Sequence, residues 1–86
     1  MTAKLQYIRQ IAQIIKANAK TNRDCTAWKK MFYDAVHEYI NDTYPQCQSY
    51  RFDNIIIDEN NEYYKGIILF SELSLNGRVL EYIRLI

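Results

Sequence analysis

Chain breakers are nearly missing: of 86 residues, only Gly66, Gly77 and Pro45 interrupt regular backbone. With 49% of the residues apolar, such a chain is expected to form one domain over residues 1–86 and not a disordered tail. Cysteine is scarce too. Cys25 and Cys47 are too few for a disulfide scaffold, and with the lone His37 they cannot fill a structural zinc site. No metal and no cofactor is therefore expected, and a reducing cytoplasm is the simplest setting. No stretch approaches the roughly 18 consecutive apolar residues of a membrane-spanning helix, so no membrane partner is expected. The N-terminus lacks an apolar signal core. Its amphipathic, basic, acid-free start has transit-peptide traits but is read as part of the fold. Gly-rich phosphate loops, nucleophile elbows and catalytic triads are all wanting, which argues against an enzyme.

What is present is patterned. Leu5, Ile8, Ile11, Ala12, Ile15 and Ala19 recur at helical spacing, predicting a first helix over about 2–20 with Thr2 as its N-cap. A second helix is expected over about 24–42. Asp24 would cap it, Cys25, Trp28, Phe32, Ala35, Val36 and Tyr39 would line one face, and Pro45 would end it. Lys30 and Asp34 are spaced to pair across one turn. The period then changes. Three β-branched and aromatic runs predict strands over about 50–57, 63–71 and 78–86. The expected fold is α+β: a two-helix hairpin followed by, and packed on, a three-stranded antiparallel β-meander.

Asn76-Gly77 is a hairpin signal, and a two-residue turn there would set Phe70 opposite Ile83 and Ile68 opposite Leu85. The same register would place Glu72 against Glu81, an unfavourable pair of like charges. A short terminal helix competes with the last strand, because Val79, Ile83 and Ile86 also fall at helical spacing. Read as a strand, this end leaves an apolar edge at Leu80, Tyr82, Ile83, Leu85 and Ile86, suited to a homodimer or to a partner chain.

Charge is lopsided although the net value is only +1. Arg9, Lys16, Lys20, Lys29 and Lys30 could form a basic face for a nucleic-acid backbone, which makes a nucleic-acid-binding accessory protein the alternative function. Asp58, Glu59 and Glu62, followed by Tyr63 and Tyr64, could form an acidic, aromatic knob for a protein partner. Tyr63 and Tyr64 would point to opposite faces of the strand. Calcium is rejected there, because Tyr63 and Leu69 stand where an EF-hand loop needs glycine and glutamate. His37 cannot pair with Cys25, since twelve residues of helix separate them by about 18 Å. Cys47 could meet His37 only through tertiary structure.

The order helix–helix–strand–strand–strand resembles RelE/ParE-type toxins, which carry two helices ahead of an antiparallel sheet. The leading strand of those toxins is missing here, and the C-terminal strands hold no evident basic catalytic set. A toxin-like nuclease therefore ranks third. The leading expectation is a small non-catalytic binding protein that occludes another protein. Small, motif-poor sequences rich in AT-coded Ile, Asn, Lys and Tyr are frequent among phage inhibitors of host defence, anti-CRISPR proteins included.

Overall fold

A computed structural model describes residues 3–58, 61–71 and 78–86. Two helices come first, α1 (Ala3–Lys20) and α2 (Thr26–Thr43), followed by β1 (Ser49–Ile56), β2 (Glu62–Phe70) and β3 (Val79–Arg84). The strands form one antiparallel sheet in the order β1-β2-β3, with α1 packed on both α2 and the central strand β2. This is the expected α+β arrangement of a helical pair on a three-stranded meander, and residues 79–84 are strand, not helix.

Local chemistry explains the helix ends. Asn22 takes a left-handed φ of 55° just past α1. The amides of Asn22 and Arg23 donate back to the carbonyls of Ala19 and Asn18, so free carbonyls of the last turn are satisfied. Asn is among the few non-glycine residues that take this conformation readily, which is how the turn forms without glycine. Asp24 lies one residue ahead of the cap position. Its Oδ1 accepts from both the amide (2.9 Å) and the hydroxyl (2.6 Å) of Thr26, and these bonds hold its carboxyl below the usual range. The helix therefore starts at Thr26 and not at Asp24. At the other end, the Tyr44 amide closes on the Ile40 carbonyl before Pro45. Thr2, the expected cap of α1, lies outside the described residues.

The core fills the space between the helical pair and one face of the sheet. Ile8, Ile11, Ala12 and Ile15 of α1 and Phe32, Val36, Tyr39 and Ile40 of α2 meet Tyr64, Ile67, Leu69, Ile83 and Leu85. A β-bulge makes the sheet side of this list possible. Asp53 pairs with Gly66 but Asn54 pairs with Tyr64, so Lys65 has no opposite number on β1. The extra residue changes the alternation, so that Tyr64, Ile67 and Leu69 all reach the core. On its other side, the Lys65 carbonyl receives the amides of Leu85 (2.9 Å) and Ile86 (3.3 Å).

The register of β3 differs from that set by a two-residue turn. Ile83 pairs with Ile67, Tyr82 with Ile68, and Glu81 with Leu69, while Phe70 pairs with Val79 past a second irregularity. In the expected register, Ile83 and Leu85 would share the face of Phe70 and Ile68, away from the helices. In the observed one both are buried, and Glu81 faces a leucine instead of a glutamate. The Asn76-Gly77 turn itself lies outside the described residues.

Gly66 is required by a close approach. A Cβ there would sit 2.3 Å from Cζ and Oη of Tyr82, whose ring crosses the glycine so that its hydroxyl donates to Asp53 Oδ2 at 2.8 Å. An aromatic laid over a strand glycine restores the packing that the missing side chain would have supplied. Gly66→Ala is expected to displace this ring and cost about 1–2 kcal/mol. In a Tyr82→Ala background the same change should cost at least ~1 kcal/mol less, a coupling that a double-mutant cycle by urea denaturation measures. Additive costs would show that the ring and the glycine do not depend on each other.

Candidate functional site

Three basic residues of α1, Lys4, Arg9 and Lys16, make contacts within the fold. Arg9 donates through Nε (3.2 Å) and a terminal guanidinium nitrogen (3.1 Å) to the carbonyl of Arg84. The Lys16 ammonium lies 5.5 Å from the ring centre of Tyr63, a cation–π contact. Lys4 bridges to Asp42 and to Glu38 (3.2 Å) of α2, and the bonds to those two carboxylates raise its pKa. Lys20 stays exposed. Lys29 and Lys30 line an open cavity of about 400 Å³ with Thr26, Tyr33 and Asp34. Lys30 and Asp34 share it without forming the ion pair that their spacing predicts. Of the five basic candidates, Arg9 and Lys16 make internal contacts, Lys20 stands exposed at the end of α1, and Lys29 and Lys30 share the cavity at the start of α2.

The acidic turn is also occupied with its own construction. Asp58 Oδ1 accepts the Asn61 amide at 2.8 Å, and Glu62 receives a hydrogen bond from Asn54. Glu59 lies outside the described residues. Tyr64 is only 1% exposed, stacked on Phe32 at 4.7 Å between ring centres, with its hydroxyl bonded to that of Tyr33. Burial, then this bond, pushes its pKa up. Tyr63 is half-buried beneath Lys16. Tyr64 belongs to the core cluster, and Tyr63 packs against it only in part.

The terminal strand is core in its side chains. Ile83 and Leu85 are buried, and the partly buried Leu80 and Ile86 pack against the same cluster. Tyr82 alone of the five stands out on the opposite face. The Glu81 carboxylate near the phenol of Tyr44, just past α2, is the main reason the Tyr44 pKa is raised.

Tertiary structure does bring His37 and Cys47 to one place. Both line an open groove of about 320 Å³ with Ile40, Asn41, Gln48, Ser49 and Tyr50. His37 Nε2 lies 3.1 Å from the Asn41 side-chain amide, and the Cys47 thiol donates to the Ser49 carbonyl at 3.1 Å. Among the described residues, no three metal-ligating side chains come together here or elsewhere. Cys25 is buried, its thiol directed to the carbonyls of Arg23 and Ile15.

The surface that the sequence reasoning missed is the outer face of the sheet. Ile68 and Phe70 are half-buried yet take no part in the core, Val79 is 56% exposed and Tyr82 is 40% exposed. Arg51, 5.5 Å from the Phe70 ring centre, and Asp53, held by Tyr82, flank this strip. Beyond it, Ile55 and Ile56 at the end of β1 and Ile57 just past it are exposed in succession. The signal was in "GIILF", where consecutive apolar residues on a central strand imply apolar groups on both faces. Among the described residues, no helix is long and apolar enough to cross a membrane. No known protein family matches this chain, and no curated protein and no solved structure is similar to it.

Proposed function

We propose that this is a small non-catalytic binding protein that acts by covering part of another protein with the outer face of its sheet. One observation carries the reading: an apolar and aromatic strip at Ile68, Phe70, Val79 and Tyr82 stands opposite the helices, with Arg51 and Asp53 beside it. An apolar centre with a charged margin is the layout of a protein interface, and a tyrosine with its hydroxyl already satisfied offers contact area at low entropic cost. Within this reading we assign the protein to the phage-type inhibitors of host defence, anti-CRISPR-like, on its size, its composition and its motif-poor sequence.

The test is affinity capture from a host lysate with mass spectrometry, comparing the native chain with Val79→Asp. Val79 is exposed, so the variant should fold. A protein retained by the native chain and reduced about tenfold by Val79→Asp supports the proposal. Equal recovery on both overturns it, as does recovery of no specific protein. Recovery of nucleic acid in its place would move the function to Lys20, Lys29 and Lys30.

A further inference from the structure

β1 has a neighbour on one side only, so one line of its backbone groups borders no strand among the described residues. Native edge strands are generally guarded by charges, proline, bulges or covering elements. β3, the other edge, has such a guard, because Arg9 of α1 reaches over to the Arg84 carbonyl. β1 carries the opposite of a guard at its end, where Ile56 is 68% exposed between two further exposed isoleucines.

The charges on β1 favour one particular occupant. Arg51 and Asp53 lie on the outer face, two residues apart, on either side of Phe52. If two copies of β1 run antiparallel about a two-fold axis at Phe52, Arg51 of each copy lies opposite Asp53 of the other. Moving the axis one residue either way sets Asp53 against Asp53 or Arg51 against Arg51, and directly opposed like charges disfavour both registers. The same axis pairs Ser49 with Ile55 of the second copy. It also carries Ile56 and Ile57 alongside Gln48 and Cys47, which line the 320 Å³ groove together with Ile40 and Tyr50. An exposed apolar strand end thus meets a partly apolar groove, and a surface that complements itself is what two-fold symmetry requires.

We propose that β1 pairs antiparallel with β1 of a second copy of this chain, joining the two sheets into one of six strands with the two-fold axis at Phe52. The apolar strip at Ile68, Phe70, Val79 and Tyr82 remains open on both copies, while Arg51 and Asp53 at its margin would be shared with the pairing. A chain of 86 residues has little core of its own, and sharing an edge buries more apolar surface.

Analytical ultracentrifugation across a concentration series tests this, with circular dichroism to confirm folding. The native chain is expected to dimerise. Arg51→Glu and Asp53→Lys should each weaken the dimer by about tenfold or more, and the double variant should recover most of the loss. A native chain that stays monomeric overturns the proposal, as do single variants that dimerise normally or a double variant no better than the singles. A second measurement avoids charge altogether. In a Cys47→Ser background, Ser49→Cys with Ile55→Cys should oxidise to a covalent dimer. Within one strand these positions are about 20 Å apart, beyond disulfide reach. The shifted pair Ser49→Cys with Ile57→Cys should cross-link far less, and equal cross-linking of the two pairs would rule out this register.

Discussion

Phe32→Ala is expected to lower the unfolding free energy by about 3–5 kcal/mol, the usual cost of removing a buried aromatic. The side chain is fully buried and joins both layers of the fold. Its ring stacks on Tyr64 of the central strand at 4.7 Å and 5° between planes, and it lies 5.2 Å from Phe52 of β1. Removing it leaves a void between two other rings, and their backbones are tied into the sheet, so the gap cannot close by a small shift. A domain of 86 residues has a total stability of roughly 4–13 kcal/mol at ordinary values per residue. The variant should therefore be marginal or unfolded. Guanidinium denaturation followed through Trp28, which packs against the same core, measures the effect as a lowered midpoint. A loss under about 1 kcal/mol would mean that the cluster is not the centre of the core.

Alkaline pH should unfold the protein in a way that follows its tyrosines. The Tyr64 phenol is pushed up from its ordinary 10.0 first by burial and then by its bond to Tyr33. Tyr44 is raised chiefly by the nearby Glu81 carboxylate, Tyr50 by burial, and Tyr82 by burial and by Asp53. A raised phenol pKa means that the folded chain holds a proton that the unfolded chain has already released. The associated stability is complete below pH ~10 and falls as pH rises beyond it, by up to ~1.4 kcal/mol per pH unit for a fully buried phenol such as Tyr64. Denaturation midpoints between pH 8 and 12 should accordingly be flat at first and then decline. Tyr64→Phe should make the decline shallower, while costing some stability at neutral pH through the lost bond to Tyr33. A midpoint that holds steady to pH 12, or an unchanged slope in Tyr64→Phe, would contradict the assignment of Tyr64 to the core.

Several features were legible in the chain because their causes are local. The apolar steps from Leu5 to Ala19 and from Cys25 to Tyr39 predict helices to within about two residues, since a helix places its buried side chains by its own 3.6-residue repeat. Pro45 ends α2 through sterics involving its immediate neighbour. The β-branched runs and the order of the elements belong with these features, and together they determine an α+β meander beneath two helices.

Side chains that matter for binding were harder to place, because their fates depend on contacts far along the chain. A bulge at Lys65 puts Tyr64 on the buried face with Ile67 and Leu69, which strand alternation does not foresee. The demand to bury Ile83 and Leu85 under the helices outweighs the register suggested by Asn76-Gly77, and so places those two side chains in the core. The basic face of α1 loses Arg9 to the Arg84 carbonyl and Lys16 to the Tyr63 ring. The sequence by itself determined which segments would be helix and strand, through repeats of two and 3.6 residues. Only the tertiary structure decided which faces remain for partners, because a side chain is available for binding only after the core has taken those it needs.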